Sequence, residues 1–383
     1  MTFRIREQFA VEFPLFAFSH CRDVVVQVSK AGGMGVLGAA GMTPEQLRIE
    51  LDWIDAHVGG KPYGVDLIVP ASFATQGEQL SASDLVARIP NTHKEFVREL
   101  LSEHGIDGSD LTDERLADGA RLGENASAQG ATAMLDIALE HPISLMVNAL
   151  GPPPTYMLER CRQAAIPIGA LVGSAEHAIK QAHAGVDLVI AQGGEAGGHC
   201  GEISTLVLVP EVVEAMEAYG SLPVLAAGGI ATGRQMAACM AMGASGAWTG
   251  SVWLTTAEAE TSKVLKEKLV AASSRDTVRS KTRTGKYCRQ LRSAWTDAWE
   301  GPSAPSPLPM PLQSIVTTAP MHKIIRLAEG GHPGARNLAS YFAGQGIGLT
   351  KASVSARTVV YDFMQEFLAA SERLAGFLDK GEA

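Results

Sequence analysis

The chain contains, at residues 188–201, the stretch Leu188-Val-Ile-Ala-Gln-Gly-Gly-Glu-Ala-Gly-Gly-His-Cys-Gly201. Its first four residues are all apolar, which is typical of a strand buried on both faces of a parallel sheet. The ten residues after them include five glycines, one glutamate and one histidine. Glycine lets the backbone approach a ligand closely. The stretch therefore predicts a strand whose carboxyl end opens into a ligand-binding loop.

Similar apolar runs recur on both sides of this stretch, and helical patterns lie between them. Strands that alternate with helices indicate a parallel sheet covered by helices. A series of eight such strands favours a closed (β/α)8 barrel, or TIM barrel, over an open sheet. The predicted strands are Phe13–Phe18, Met34–Ala39, Tyr63–Val69, Ile143–Ala149, Ile166–Leu171, Leu188–Ala191, Pro223–Ala227 and Ala247–Trp253.

Several of the intervening helices begin with recognisable capping residues. Thr43 precedes a proline at the first helical position, and Ser174 and Thr232 stand where a side-chain oxygen can cap a helix. The predicted helices are Asp23–Lys30, Pro44–His57, Ala131–Glu140, Thr155–Ala164, Ala175–Ala184, Pro210–Tyr219 and Arg234–Met242.

Two segments interrupt the alternation of strands and helices. We expect a barrel built from residues 1–70 and 131–254, an insertion or lid at 71–130 after the third strand, and a C-terminal helical extension at 255–383. Neither segment has a sizeable apolar core of its own, so both should pack on the barrel. Helical patterns within them occur at Ser83–Ile89, His93–His104 and Glu258–Ala272.

Composition limits the class of protein. A hydrophobic content of 46% with 19% charged residues describes a well-cored globular chain of 383 residues. The net charge of −9 argues against nucleic acid or an anionic membrane as the main partner. We find neither a long uncharged apolar run nor a secretory leader, and expect a cytoplasmic protein. The five cysteines form no CxxC pair, so we expect no disulfide framework and no metal site.

Two further loops are rich in glycine. The seventh strand ends at Ala227 and continues into Gly228 and Gly229, and the eighth passes through Gly250 and Ser251. Active sites of barrels lie at the carboxyl ends of the strands, and exposed backbone N–H groups beside a helix N-terminus favour a phosphate. The alternative is that these glycines only make short turns. Their occurrence in two successive loops favours a phosphate site.

His199 is the best candidate for catalysis. An imidazole titrates near neutral pH, so it can accept a proton from an acidic C–H or donate a hydrogen bond to an oxygen. The alternative is a structural histidine, which the position in a glycine-rich loop at the active end of a strand makes less attractive. Cys200 beside it is a candidate nucleophile, with simple packing as the alternative.

The motifs together resemble the nitronate monooxygenase (2-nitropropane dioxygenase) family. The combination of Glu195-Ala-Gly-Gly-His199 with Ala226-Ala-Gly-Gly-Ile230 is the most specific part. The resemblance spans residues 13–70 and 131–350. Further matching stretches are Ser29-Lys-Ala-Gly-Gly-Met-Gly35, Lys61-Pro-Tyr-Gly-Val-Asp66-Leu67, Met242-Gly-Ala244 and Ala343-Gly-Gln-Gly-Ile-Gly-Leu349.

The resemblance implies an FMN-dependent barrel in which His199 abstracts a proton from a nitroalkane or orients its anion. It places the FMN phosphate at Gly228, Gly229, Gly250 and Ser251. It implies that the flavin lies against Gln192, Gly197 and Gly198, under Gln345 and Gly346, with further contacts from Phe18, Ser19, Asp66 and Ala227.

Two departures from the family pattern stand out. The loop after the first strand reads Phe18-Ser-His-Cys-Arg-Asp23, where the family often has proline and methionine. Asp66 occupies a position where the family usually has asparagine. It would place negative charge near the flavin unless His20 or Arg22 pairs with it.

A cluster of basic residues near residue 280 needs its own interpretation. A solvated surface is the simpler one. The alternative is that part of it meets the phosphates of a coenzyme A thioester or of NAD(P)H, since arginine suits phosphate geometry. Its members are Arg275, Arg279, Lys281, Arg283, Lys286, Arg289 and Arg292.

Three functions are compatible with these patterns. The first is oxidation of a small-molecule nitronate or nitroalkane with O2. The second is an NAD(P)H-dependent flavin reductase or dehydrogenase of an enoyl or acyl thioester, or of a quinone. The third is a non-catalytic flavin-binding barrel, or a non-redox barrel that binds another phosphate, because a fold does not fix a function.

Overall fold

Eight parallel strands close into a barrel in the computed structural model, which describes residues 2–69, 81–117 and 128–379. The predicted insertion at 71–130 therefore lies partly outside the described residues. The (β/α)8 barrel is confirmed. Its strands are β1 (Leu15–Ser19), β2 (Met34–Gly38), β3 (Tyr63–Leu67), β4 (Leu145–Asn148), β5 (Ile168–Val172), β6 (Leu188–Gln192), β8 (Val224–Ala227) and β9 (Gly246–Thr249).

Helices surround the barrel, and the three predicted caps are present. Thr43 accepts a hydrogen bond from the Gln46 N–H, and Ser174 and Thr232 cap their helices in the same way. The helices up to β6 are α1 (Thr2–Phe9), α2 (Arg22–Lys30), α3 (Pro44–Val58), α4 (Ala82–Ala87), α5 (Asn91–Glu103), α6 (Asp113–Ala117), α7 (Ala128–Leu139), α8 (Thr155–Gln163) and α9 (Ala175–Ala184). Those after β6 are α10 (Thr205–Glu217), α11 (Gly233–Ala241), α12 (Lys263–Ala271), α13 (Ala294–Trp299), α14 (Leu312–Glu329), α15 (Pro333–Leu338) and α16 (Ala356–Asp379).

The predicted eighth strand was too long at its carboxyl end. Strand β9 stops at Thr249, and Ser251–Thr255 is a 3-10 helix. The indole N–H of Trp253 lies 3.0 Å from both the carbonyl oxygen and the hydroxyl of Thr249, which turns the chain back on itself. The turn buries its apolar residues, so an apolar run alone could not distinguish it from a strand.

Two predicted helix starts were also wrong. Helix α10 begins at Thr205, five residues before the predicted start, and contains Pro210 within its length. The first helix of the C-terminal segment begins at Lys263 instead of Glu258, because Ser262 caps it by accepting a hydrogen bond from the Leu265 N–H. The second start follows the capping rule, whereas Ser204, which precedes α10, makes no side-chain capping hydrogen bond.

The barrel interior is packed with apolar side chains and is closed from below by the N-terminal helix. Phe16, Ile190 and Leu225 belong to this inner cluster, and so do Ile5 and Phe9 of α1. The rings of Phe9 and Phe16 meet edge to face at 5.7 Å between centroids. Residues from the start of the chain thus fill the amino end of the barrel.

The insertion and the C-terminal segment share a second hydrophobic core outside the barrel. Val97 and Leu101 of α5 pack in one cluster with Trp295, Ile315 and Ile324. The ammonium of Lys94 contacts the Asp113 carboxylate at 2.6 Å and joins α5 to α6. Helices α4–α6 and α12–α15 therefore form a joint helical layer, which neither segment could build alone.

Helix α16 lies against α11 at very short range. A side chain on Gly233 would place its Cβ 1.9 Å from the Phe363 carbonyl oxygen and 2.7 Å from the Phe367 nitrogen. Both are backbone atoms, so the two helices could approach so closely only at a glycine.

We expect Gly233→Ala to destabilise the protein by about 1–3 kcal/mol, the usual cost of overpacking, since α16 must move away. Gly376→Ala, in α16 itself, is the matched control because its Cβ would meet nothing within 4 Å. That variant should be neutral or slightly more stable, given the better helix propensity of alanine. Thermal unfolding of both variants measures the difference. Equal melting temperatures would contradict the close contact.

Candidate active site

Inward-facing side chains of several strands lie together at the carboxyl end of the barrel, and we call this group of side chains the strand-end cup. Side chains alternate along a strand, so Phe18 and Gln192 face the interior like Phe16 and Ile190 two residues before them. Asp66 also points inward, because Val65 and Leu67 on either side of it pack in the outer core. Ala227 belongs to the inner cluster itself.

The two predicted phosphate loops present free backbone donors. Within the part of the chain that the structure describes, the N–H groups of Gly229, Gly250 and Ser251 have no acceptor. Gly228 and Gly229 have φ values of 106° and 70°, which favour glycine. A Cβ on Gly250 would meet only Phe18 Cδ1 at 4.0 Å, so this position borders open space. Unpaired donors beside open space make an anion-binding cradle.

The other glycines of the site differ in what they face. A Cβ on Gly198 would meet nothing within 4 Å, whereas one on Gly228 would lie 2.7 Å from Thr205 Oγ1. One on Gly197 would lie 2.7 Å from the Gly344 nitrogen. Gly198 therefore borders open space, while Gly197 and Gly228 are required for contact between loops.

Glu195 fastens the loop after β6 to the start of α10. One of its carboxylate oxygens, Oε2, accepts hydrogen bonds from the backbone N–H and the hydroxyl of Thr205, both at 2.9 Å. Arg289 also stabilises this loop. Its guanidinium donates two hydrogen bonds to the Gly194 carbonyl oxygen, at 3.0 and 2.8 Å. Glu195 thus caps a helix and holds the loop in shape.

The C-terminal glycine-rich loop reaches the same place. The Gln345 N–H donates to the Glu195 carbonyl oxygen at 2.9 Å, and the Gly344 N–H donates to Ser251 Oγ at 2.8 Å. A Cβ on Gly346 would come within 2.5 Å of the Gly229 carbonyl oxygen. Residues between 93 and 150 positions apart in the chain are therefore in contact at one site. Ser19 is the exception, because it faces away from the barrel axis and its hydroxyl accepts the Cys21 N–H at 3.1 Å.

His199 lies in a short strand that the sequence did not predict. Strand β7 (Gly198–His199) pairs with β11 (Cys288–Leu291), which pairs with β10 (Thr277–Ser280). The His199 Nε2 lies 2.8 Å from Thr284 Oγ1, in the turn between β10 and β11. His199 is an exposed residue, but desolvation of its ring by the surrounding protein lowers the pKa of the imidazole, and the charge of Lys286 lowers it further. The ring is therefore neutral near pH 7 and able to accept a proton.

Asp66 has neither of its expected partners. The ring nitrogen Nδ1 of His20 is hydrogen-bonded to the Gly38 carbonyl oxygen at 2.7 Å, and Arg22 pairs with Glu50 at 3.3 Å. The carboxyl is fully buried, and its Oδ1 has no hydrogen-bond partner among the described residues. Burial raises the pKa of Asp66 well above its usual value and so favours the neutral form of the acid, which has a proton to donate.

The remaining predicted features are Cys200 and the basic cluster, and their environments differ. Burial raises the pKa of the Cys200 thiol, which keeps the sulfur protonated and argues against a nucleophile. In the basic cluster, Arg275, Lys281, Lys286 and Arg292 are exposed, as a solvated surface requires. Arg283 is buried instead.

Comparison with known proteins shows the family. The nitronate monooxygenase family model matches residues 6–366. This chain belongs to the nitronate monooxygenase family. It is therefore an enzyme, an oxidoreductase of the FMN-dependent class. Within the described residues, none of the helices is long and apolar enough to span a membrane.

Relatives of the family occur in several bacteria. Rv1533 of Mycobacterium tuberculosis, provisionally named a monooxygenase, is 50% identical over 99% of this chain and 100% of its own length. A provisionally named nitronate monooxygenase of Staphylococcus aureus is 26% identical over 82% of this chain and 86% of its own length. Among solved structures, a nitroalkane oxidase from Streptomyces ansochromogenes has a TM-score of 0.76 at 24% identity, covering 97% of this chain and 99% of that one. FabK from Thermotoga maritima has a TM-score of 0.71 at 25% identity, covering 98% of each chain.

Sequence reasoning missed the contact between His199 and Thr284. The two residues are 85 positions apart, and a two-residue strand has too short a pattern to recognise. The hairpin that carries Thr284 did offer a signal, since residues 277–291 contain two short polar strands around Gly285. That glycine has a φ of 83°, as tight turns require.

We expect Asp66→Asn to stabilise the apoprotein increasingly as pH rises. Unfolding lets Asp66 ionise near pH 3.8, whereas the folded state keeps its proton to much higher pH. The folded state therefore binds more protons over that window, and its stability falls as pH increases through it. An asparagine side chain has no proton to lose, so the melting temperature of the variant should exceed that of the native protein by a few degrees at pH 8 and converge with it at pH 4.

Thermal unfolding of the apoproteins between pH 4 and pH 8 measures this difference. Asp52→Asn, at an exposed position of α3, is the matched control and should show no such divergence. A constant offset at all pH values would show that Asp66 is ionised in the folded protein.

Proposed function

We propose that this enzyme binds FMN at the carboxyl face of its barrel and oxidises nitronates or nitroalkanes with O2. The observation that carries the proposal is a neutral His199 held by Thr284 Oγ1 at 2.8 Å, beside a cradle of unpaired backbone donors. The names of the nitroalkane oxidase neighbour and of the Staphylococcus aureus relative support the substrate class.

The residues present fit FMN. The unpaired N–H groups of Gly229, Gly250 and Ser251, together with Gly228, suit its phosphate. An isoalloxazine ring would lie over the cup, against Phe18, Gln192, Gly197, Gly198 and Ala227, with Gln345 and Gly346 at its edge. Bound FMN would take electrons from the substrate and deliver them to O2.

Asp66 suits this cofactor better as a neutral acid than it would as a carboxylate. A buried carboxylate with no counter-ion would disfavour the negative charge that a flavin gains on reduction, whereas a protonated carboxyl offers one hydrogen-bond donor. The departure from asparagine at this position therefore keeps a donor in place, since an asparagine amide also donates.

His199 would act as the base toward neutral nitroalkanes. The Thr284 hydroxyl lies 3.1 Å from the Lys286 carbonyl oxygen, to which it can donate its single proton. It then accepts from Nε2–H of His199, which leaves the Nδ1 lone pair free to take a proton from the substrate carbon. Thr284 is in this scheme a positioning residue that fixes the tautomer of the ring.

The structural similarity to FabK favours a second candidate function. The two chains cover each other almost completely at a TM-score of 0.71, so an NAD(P)H-dependent reductase or dehydrogenase of a thioester or quinone fits the same barrel. The two functions differ in what supplies electrons to the flavin.

We expect Gly250→Val to abolish FMN retention, with at least about a tenfold loss of affinity, because its side chain would occupy the cradle. Gly376→Val is the matched control, since a Cβ there meets nothing within 4 Å and the residue lies in α16, outside the loops that follow the strands. Flavin absorbance after gel filtration measures retention. A fully flavinated Gly250→Val protein would contradict the proposed phosphate site.

The function is tested by anaerobic mixing of the yellow enzyme with ethylnitronate in one run and with NADH or NADPH in others. Flavin bleaching by the nitronate alone is the expected result. Bleaching only by a pyridine nucleotide would support the reductase instead.

His199→Asn tests the proposed base in the same assay. We expect it to keep FMN and to lose turnover with neutral nitroethane by on the order of 100-fold or more, the usual contribution of a general base. Ethylnitronate has already lost its proton, so its turnover should fall much less. Equal losses on the two substrates would show that His199 does not remove the proton.

A further inference from the structure

His20 directly follows β1 and is a second histidine at the carboxyl end of the barrel. Its ring meets the Phe18 ring edge to face, at 5.0 Å between the centroids. Phe18 packs against the inner cluster of the barrel, and its Cδ1 lies 4.0 Å from the position of a Cβ on Gly250. The ring of His20 is therefore in contact with the strand-end cup, close to the anion-binding cradle.

Gly38 of β2 shows which way the His20 ring lies. Val36, two residues before it, belongs to the inner cluster, so Gly38 also faces the inside of the barrel. A Cβ on Gly38 would lie 2.6 Å from the Phe18 ring and 2.9 Å from His20 Nδ1. Gly38 is also opposite Asp66 in the register of β2 and β3. His20 therefore lies over the same inward face as Phe18 and Asp66.

One hydrogen bond fixes which nitrogen of His20 carries the proton. Nδ1 lies 2.7 Å from the Gly38 carbonyl oxygen, and a carbonyl oxygen can only accept, so Nδ1 is the donor. Although the residue is exposed, desolvation by the surrounding protein lowers the pKa of the imidazole, and the hydrogen bond to Gly38 offsets only part of that effect. The ring is therefore neutral near pH 7, and its Nε2 has a lone pair that can accept a hydrogen bond.

This acceptor lies in the loop that departs from the family pattern. Proline and methionine are frequent in the family where this chain has Phe18-Ser-His-Cys-Arg-Asp23. The side chain of proline has no acceptor, and the sulfur of methionine is a weak one. The imidazole acceptor beside Asp66 is therefore a feature of this chain and not of the general family pattern.

We propose that His20 Nε2 accepts a hydrogen bond from an N–H group of the bound flavin ring, beside the proposed donor Asp66. An isoalloxazine ring carries carbonyl oxygens next to N–H groups, so a donor next to an acceptor complements its edge. The N–H is either N3–H, which is present in both redox states, or N5–H, which only the reduced flavin has. This inference rests on the proposed function, because FMN is the cofactor in that proposal.

Titration of the apoprotein with FMN and with 3-methyl-FMN tests for N3–H, which the methylated flavin lacks. If N3–H is the donor, the native protein should prefer FMN, and His20→Leu should bind FMN about three- to tenfold more weakly and lose most of that preference. Quenching of flavin fluorescence measures both affinities. His57→Leu is the matched control, because the exposed His57 of α3 also contacts a carbonyl oxygen, that of Trp53, through Nδ1 at 2.7 Å.

The midpoint potential of the bound flavin tests for N5–H. If N5–H is the donor, His20→Leu should bind oxidised FMN as the native protein does, while the reduced flavin loses a hydrogen bond. The potential of the variant should then be more negative, by about 30 mV for each tenfold loss of affinity for reduced FMN. If the preference for FMN over 3-methyl-FMN and the midpoint potential are both unchanged in His20→Leu, the proposal is overturned.

His20→Gln separates binding from a structural role. A glutamine can place its amide oxygen near the position of Nε2, so this variant should recover part of the lost affinity or potential. An equal loss of affinity for both flavins, with an unchanged potential and a lower melting temperature of the apoprotein, would indicate a structural role and overturn the proposal. Neither readout uses a substrate. If no nitronate bleaches the native flavin, the proposed reaction fails, whereas the affinities and potentials still decide the role of His20.

Discussion

The contact between Glu195 and Thr205 holds the active end of the barrel together. Thr205 Oγ1 lies 2.9 Å from a Glu195 carboxylate oxygen and 2.9 Å from the Gly228 carbonyl oxygen, so one hydroxyl lies between the loops after β6 and β8 and can donate its single proton to either of them. A Cβ on Gly193 would lie 2.2 Å from the same oxygen. The glycines around this hydroxyl are therefore needed so that the two loops can approach it. The open positions, Gly198 and Gly250, follow from this arrangement.

A second constraint is the burial of two ionisable groups, Asp66 and Arg283, each with a side-chain atom that has no hydrogen-bond partner among the residues that the structure describes. Asp66 resolves it by keeping its proton, because burial favours the neutral form of an acid. Arg283 cannot do the same near pH 7, since its pKa falls only to about 10. The carboxyl end of the barrel thus has a buried acid that favours its neutral form, and the turn between β10 and β11 has a buried positive charge.

The barrel could be predicted from the sequence because the patterns that specify its strands and helices are local in the chain. Each strand is a short apolar run followed by a helical pattern, and a capping residue such as Thr43 starts several of the helices. The errors occurred where a tertiary contact replaces a local rule. The indole of Trp253 ends β9 early, and the Glu195 carboxylate starts α10 at Thr205, ahead of the proline that a local rule prefers.

The glycine-rich loops of the site could likewise be predicted, because close backbone approach requires glycine and clusters of glycine are visible in the sequence. Thr284 and the burial of Arg283 could not, because each depends on a hairpin that meets His199 across 85 residues of chain. The sequence of a basic stretch does not distinguish a solvated arginine from a buried one. Only packing against α14 and Phe342 separates Arg283 from its exposed neighbours.

The two sides of the site have different structural origins, and this bears on how one family serves different substrates. The proposed cofactor contacts come mainly from strand ends and loops of the barrel, whose geometry is set by sheet closure. Thr284 comes from the hairpin supported by α14, which belongs to the helical layer outside the barrel. A change in that layer can alter the charge and shape met by the substrate without disturbing the strands beneath. The nitroalkane oxidase and FabK structures each match at least 97% of this chain, so the fold of the outer helical layer is shared together with that of the barrel.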